Sequence, residues 1–102
     1  MPEPAAIAPA HQLKVLSVKC SPNYGRPRID LAVQNTGQTT LEFPKAVASF
    51  GGAINDSYLS PNTLRPGGIA TASFYSPAEG DSADCSLVAI QDGDGFAATL
   101  SR

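Results

Sequence analysis

From Gln12 to the end of the chain, apolar and polar residues alternate with a period of two, and no segment of ten residues carries the spacing near 3.6 that a helix requires. Leu13 and Val15 alternate with Gln12 and Lys14, whereas Leu16, Val18 and Cys20 alternate with Ser17 and Lys19. The apolar face therefore changes parity at Val15–Leu16, as a β-bulge or a strand changing sheets would require. Ile29, Leu31 and Val33 define a second strand that stops at Asn35-Thr36-Gly37. Leu41 and Phe43 mark a third strand, which Pro44 interrupts and Ala46 to Phe50 resumes before Gly51-Gly52. Proline cannot donate to a ladder, so this strand is expected at an edge or kinked into two pieces. Ile54 to Leu59 forms a weaker strand with polar residues inside it, and Ser60 to Gly68 is a loop. Ile69 to Tyr75 follows, with Ala70, Ala72 and Phe74 facing inward. Asp84 to Gln91 puts Val88 and Ile90 on one face, and Asp92-Gly93-Asp94-Gly95 turns the chain into Phe96 to Ser101.

Seven or eight short strands separated by tight turns predict an all-β, immunoglobulin-like antiparallel sandwich of about seven strands. The nine Gly and nine Pro fit that many turns, and 102 residues allow only one domain. Residues 1–10, MPEPAAIAPA, read as a Pro/Ala-rich flexible tether, which leaves 11–102 as the sandwich.

The strand ending in Asn35-Thr36-Gly37, the turn Leu64-Arg65-Pro66-Gly67 and the small-residue strand Ile69 to Tyr75 resemble bacterial extracytoplasmic immunoglobulin-like domains of the FxLYD and CARDB families. The resemblance covers about Leu13 to Leu100. It implies a module for adhesion, assembly or ligand presentation, without naming a partner.

Within the sandwich, the loop after the first strand and the one before the sixth lie at the same pole, so Cys20 and Cys85 can meet as a disulfide. Closing a loop of roughly 65 residues stabilises by at most about 4 kcal/mol. Two buried reduced thiols in a cytoplasmic protein are the alternative. A redox pair is disfavoured by the absence of C-x-x-C spacing.

His11, the only histidine, stands at the edge of the tether, where a lone imidazole is read as a bystander. Glu3, Glu42 and Glu79 lie in separate segments and suggest no carboxylate pair for glycoside chemistry. Asp92 and Asp94 carry oxygen ligands at alternate positions, but without the further ligands of a calcium loop they read as a hairpin turn. No metal, cofactor or catalytic residue is assigned, and an enzyme is not expected.

A net charge of −2 with no basic run argues against nucleic acid, and no apolar stretch approaches the length of a membrane helix. The expectation is a non-catalytic protein-interaction or assembly module of a bacterial envelope or secreted protein, placed in the periplasm or outside the cell by its disulfide. Its partner would be another protein or an envelope component. The suspected binding edges are the strand with Ile54 and Tyr58 and the Pro44-broken strand before it. The alternative is a carbohydrate- or small-ligand-binding sandwich using polar loops at one pole, with Tyr24 and Arg26 on one and Asp92 and Asp94 on another. Asn55-Asp56-Ser57 is a formal glycosylation sequon to which no role is assigned.

Overall fold

The computed structural model describes residues 10–22, 25–79 and 84–102; apart from Ala10, the tether lies outside them, as does Tyr24. The described residues form strands and turns without a helix: β1 (Gln12–Ser21), β2 (Arg28–Asn35), β3 (Leu41–Glu42), β4 (Lys45–Phe50), β5 (Ala53–Tyr58), β6 (Thr63–Leu64), β7 (Ile69–Tyr75), β8 (Ser86–Gln91) and β9 (Thr99–Ser101). They build a four-stranded sheet in the order β7-β2-β1-β9, a three-stranded sheet β5-β4-β8, and a small β3-β6 pair. The described residues thus form an immunoglobulin-like β-sandwich of seven main strands plus the two-residue pair.

One pairing departs from the antiparallel expectation. β9 lies parallel to β1, with Gln12 opposite Thr99 and Lys14 opposite Ser101. It is also shorter than the strand read from Phe96 onward, because the chain first returns beside β8 through Ala98 N–H to Ile90 C=O and only then crosses to β1.

Alternation selects the core. Ile29, Leu31 and Val33 of β2 and Ala70, Ala72 and Phe74 of β7 point inward from one sheet, and Ala46, Ala48 and Phe50 of β4 from the other. Alanines facing the larger residues let the two layers approach at interior packing density. Phe50 and Phe74 meet across the sheets edge to face, with ring centroids 6.0 Å apart and planes at 81°.

The parity change at Val15–Leu16 is a register shift between Val15 and Ser17 against β2. A second irregularity was not foreseen: opposite Val47 and Ala48, β8 slips by one residue. Val88 is consequently turned out at 54% exposure while Ile90 is fully buried, so these two do not share a face.

Pro44 does divide two strands, but β4 sits centrally between β5 and β8 and is not an edge. Phe43, read as part of the third strand with buried Leu41, lies beyond the end of β3 and is 53% exposed with φ at 51°, which is not extended backbone. Gly51 and Gly52, both at positive φ, make the two-residue turn that joins β4 to β5.

Cys20 and Cys85 form the expected disulfide, with Cα atoms 5.7 Å apart, and tie the end of β1 to the start of β8 in the opposite sheet. The other end of β1 is organised by Asn35. Its buried side-chain amide donates to the carbonyls of Thr39 and Leu64, at 2.8 and 3.0 Å, and its carbonyl oxygen accepts from Gly37 N–H. The backbone of Asn35 pairs with Gly67 and Gly68, so the L-R-P-G turn is docked onto this residue.

Candidate functional site

At the pole opposite the disulfide, the turn after β8 folds around Asp92. Its Oδ1 accepts from the backbone N–H of Asp94 at 3.0 Å and of Phe96 at 2.9 Å. Its Oδ2 faces Nε2 of His11 at 2.9 Å. Burial pushes the Asp92 carboxyl upward, but the bond from His11 and those from Phe96 and Asp94 outweigh it and hold the group below the usual carboxylate range. An ionised carboxylate only accepts, so Nε2 carries the proton and donates. Nδ1 of the same ring is hydrogen-bonded to the Thr39 hydroxyl at 2.8 Å.

His11 is therefore not a bystander on a flexible segment but a buried strut, 3% exposed, between the start of β1 and the β8–β9 turn. The sequence offered no periodic signal for it because the residue precedes β1 and its partners are distant in the chain. Asp92, read as a binding-loop residue, is likewise buried and occupied with internal bonds.

Beside this strut lies an open cleft of about 560 Å³ lined by Thr39, Thr40, Glu42, Phe43, Gly93 and Asp94 as well as the buried pair. Gly93 donates its N–H to Glu42 C=O at 2.8 Å, and an added Cβ there would meet that oxygen at 3.2 Å and Phe43 Cβ at 3.4 Å. The exposed Phe43 thus stands directly against the turn. Asp94 is exposed on the rim, and Glu42 accepts from the Thr63 hydroxyl. Among the described residues no three His, Cys, Asp or Glu gather as a metal set.

Arg26 is exposed in the loop between β1 and β2, at the disulfide pole. The ten residues of β1 separate that pole from Asp92 and Asp94 by roughly 30 Å at ~3.3 Å per residue, so these side chains do not converge on one site. Arg28 instead turns to the outer face of its own sheet, where it pairs with Asp30 at 2.8 Å and lies 5.9 Å from the Tyr75 ring centroid.

The second exposed feature is the outer face of the three-stranded sheet. β5 is an edge strand, as expected, and Ile54, Asp56 and Tyr58 point outward from it opposite Ser49, Val47 and Lys45 of β4. Ile54 is 55% and Tyr58 62% exposed, and Val88 on β8 extends the apolar surface. Asn55, of the sequon, points the other way and donates to Tyr75 C=O at 2.8 Å.

No family model matches the chain, and no match is found among the curated proteins or the solved structures.

Proposed function

We propose that this chain is a non-catalytic protein-interaction domain of a bacterial envelope or secreted protein, of the extracytoplasmic immunoglobulin-like kind that its turns resemble. The observation that carries the reading is the outer face of β5-β4-β8, where Ile54, Tyr58 and Val88 are each more than half exposed on one sheet. Large side chains grouped on a sheet face lose water-exposed area only when another molecule covers them. The disulfide supports a location where thiols stay oxidised. The absence of catalysis is supported by the one histidine, whose two ring nitrogens are both engaged inside the fold.

The test is site-specific photo-crosslinking in the native envelope and secreted fractions, with the photoreactive residue at position 54 or 58. Positions 71 and 73, on the outer face of the other sheet, serve as controls. Protein adducts from 54 and 58 but not from the controls are expected; equal yields from all four would overturn the assignment.

A second reading rests on the cleft at the opposite pole from the disulfide. The exposed Phe43 ring beside Thr40, Glu42 and Asp94 offers one apolar face and several polar groups, the combination that sugar rings use. Amide shifts confined to 39–43 and 92–96 on addition of a mixture of oligosaccharides would favour it over protein binding.

A further inference from the structure

The edges of the two sheets are not equally protected. β7 is capped by Ser60, which exchanges both backbone bonds with Thr71, at 2.9 and 3.0 Å, and by the Asn55 amide on Tyr75 C=O. β9 is three residues long, and the part of β1 beyond it carries a bulge. β8 is bulged at Val88 and partly covered by Ala97 and Ala98. Short length, bulges and covering segments are the ordinary means by which proteins prevent a foreign strand from adding to a sheet.

β5 has none of these. Its six residues pair with β4 without a register shift. Phe50 and Ala53 flank the two-residue turn, so they exchange both backbone bonds; alternation then turns the N–H and C=O groups of Ile54, Asp56 and Tyr58 away from β4. No strand or described segment pairs with them there. The same three residues carry the exposed outer-face side chains.

The one guard on this edge is the carboxylate of Asp56 at its centre, whose nearest described cation, Lys45, is 3.9 Å away. That charge selects the occupant. In the symmetric antiparallel register that uses all three outward residues, a second copy would place Ile54 against Tyr58 and Asp56 against Asp56. Like charges directly opposite across a ladder are destabilising. A strand with Lys or Arg between two apolar residues meets the edge without that conflict.

We infer that β5 is a strand-addition site for an extended partner segment of the pattern apolar–x–basic–x–apolar, the basic residue lying opposite Asp56. This rests on the protein-interaction reading above and names the chemistry of its partner. Main-chain bonds to Ile54, Asp56 and Tyr58 would supply affinity that is indifferent to sequence, and the side chains beside Ile54, Asp56 and Tyr58 would supply the choice.

The probe is an acetylated, amidated peptide, Gly-Val-Thr-Lys-Thr-Val-Gly, titrated into the 15N-labelled full chain at low ionic strength beside its Lys-to-Glu analogue. Amide shifts are expected at 53–58. The Lys peptide should bind about fivefold more tightly than the Glu peptide, from cross-strand charge pairs of up to ~1 kcal/mol. Asp56→Asn should abolish the preference and Asp56→Lys invert it; the position is exposed, so the fold is not at risk. Equal affinity for the two peptides, or shifts centred on β7 or β8, would overturn the inference. If crosslinks persist at 54 and 58 while the peptides show no charge preference, the partner chemistry is wrong and the interaction face stands; loss of both removes the function as well.

Discussion

Replacing Asp92 in two ways separates the strut at the pole from simple packing. Asp92→Ala removes the acceptor for three donors: His11 Nε2–H and the backbone N–H groups of Asp94 and Phe96. The ring nitrogen is buried, and an orphaned buried polar group costs about 1–3 kcal/mol; the two turn amides are nearer to solvent and cost roughly 0.5 kcal/mol each. The sum is about 3 kcal/mol, or a fall in Tm of roughly 12–24 °C for a domain of this size. Asp92→Asn keeps the shape, and its Oδ1 still accepts from both turn amides. Its amide would donate to Nε2, so Nε2 must give up its proton, Nδ1 must carry one and the Thr39 hydroxyl must accept. Every group stays paired, and the expected cost is about 1 kcal/mol. Thermal and urea unfolding give the stabilities, and imidazole 15N shifts report which ring nitrogen is protonated. Two variants within about 0.5 kcal/mol of each other, or an unchanged tautomer in Asp92→Asn, would refute the hydrogen-bond assignment.

Asp92 and Asp30 both have folded-state pKa values held down, Asp30 chiefly by the Ser73 hydroxyl and then by Arg28. Their contribution should be complete above the unfolded Asp value near ~4 and lost as pH falls through the lower folded values, so Tm should drop as pH falls below about 4. An acid-insensitive Tm would contradict this. Reduction, or Cys20→Ser with Cys85→Ser, should cost up to about 4 kcal/mol through the released loop, measured as a lowered urea midpoint with the β-sheet circular dichroism retained at zero denaturant. Phe43→Asn should leave stability unchanged or raise it by about 0.5–1 kcal/mol, since Asn tolerates positive φ and the ring is exposed; a loss above about 1 kcal/mol in chemical denaturation would show that the ring packs structurally.

The sandwich was legible because a half-buried strand writes its environment into every second residue. β2 and β7 follow that rule without interruption, and even the bulge in β1 announces itself as a parity change. The slip in β8 left no such trace: Val88, Ala89 and Ile90 are all apolar, so alternation does not say which of them turns out. Phe43 falls outside the strand it marks in the sequence because strand reading assumes extended backbone, and φ there is not extended. The disulfide followed from topology once the strands were placed. The open edge at β5 was visible as a weak strand, but its isolation depends on what covers the other edges, which is a property of the whole fold. The His11–Asp92 strut joins residues 81 positions apart that belong to no strand, and only three-dimensional structure brings them together.

The parallel placement of β9 beside β1 gives the domain a mechanical character. A pull between Ala10 and Arg102 draws β1 and β9 in opposite directions along their length, so their bonds are loaded together in shear rather than opened one at a time. If that contact yields, tension passes along β1 to Cys20, across the disulfide to Cys85, and back through β8. The chain between the two cysteines, with β2, β4, β5 and β7, stays out of the line of force. The face that carries Ile54 and Tyr58 would then remain folded on a domain that lengthens only by its outer segments.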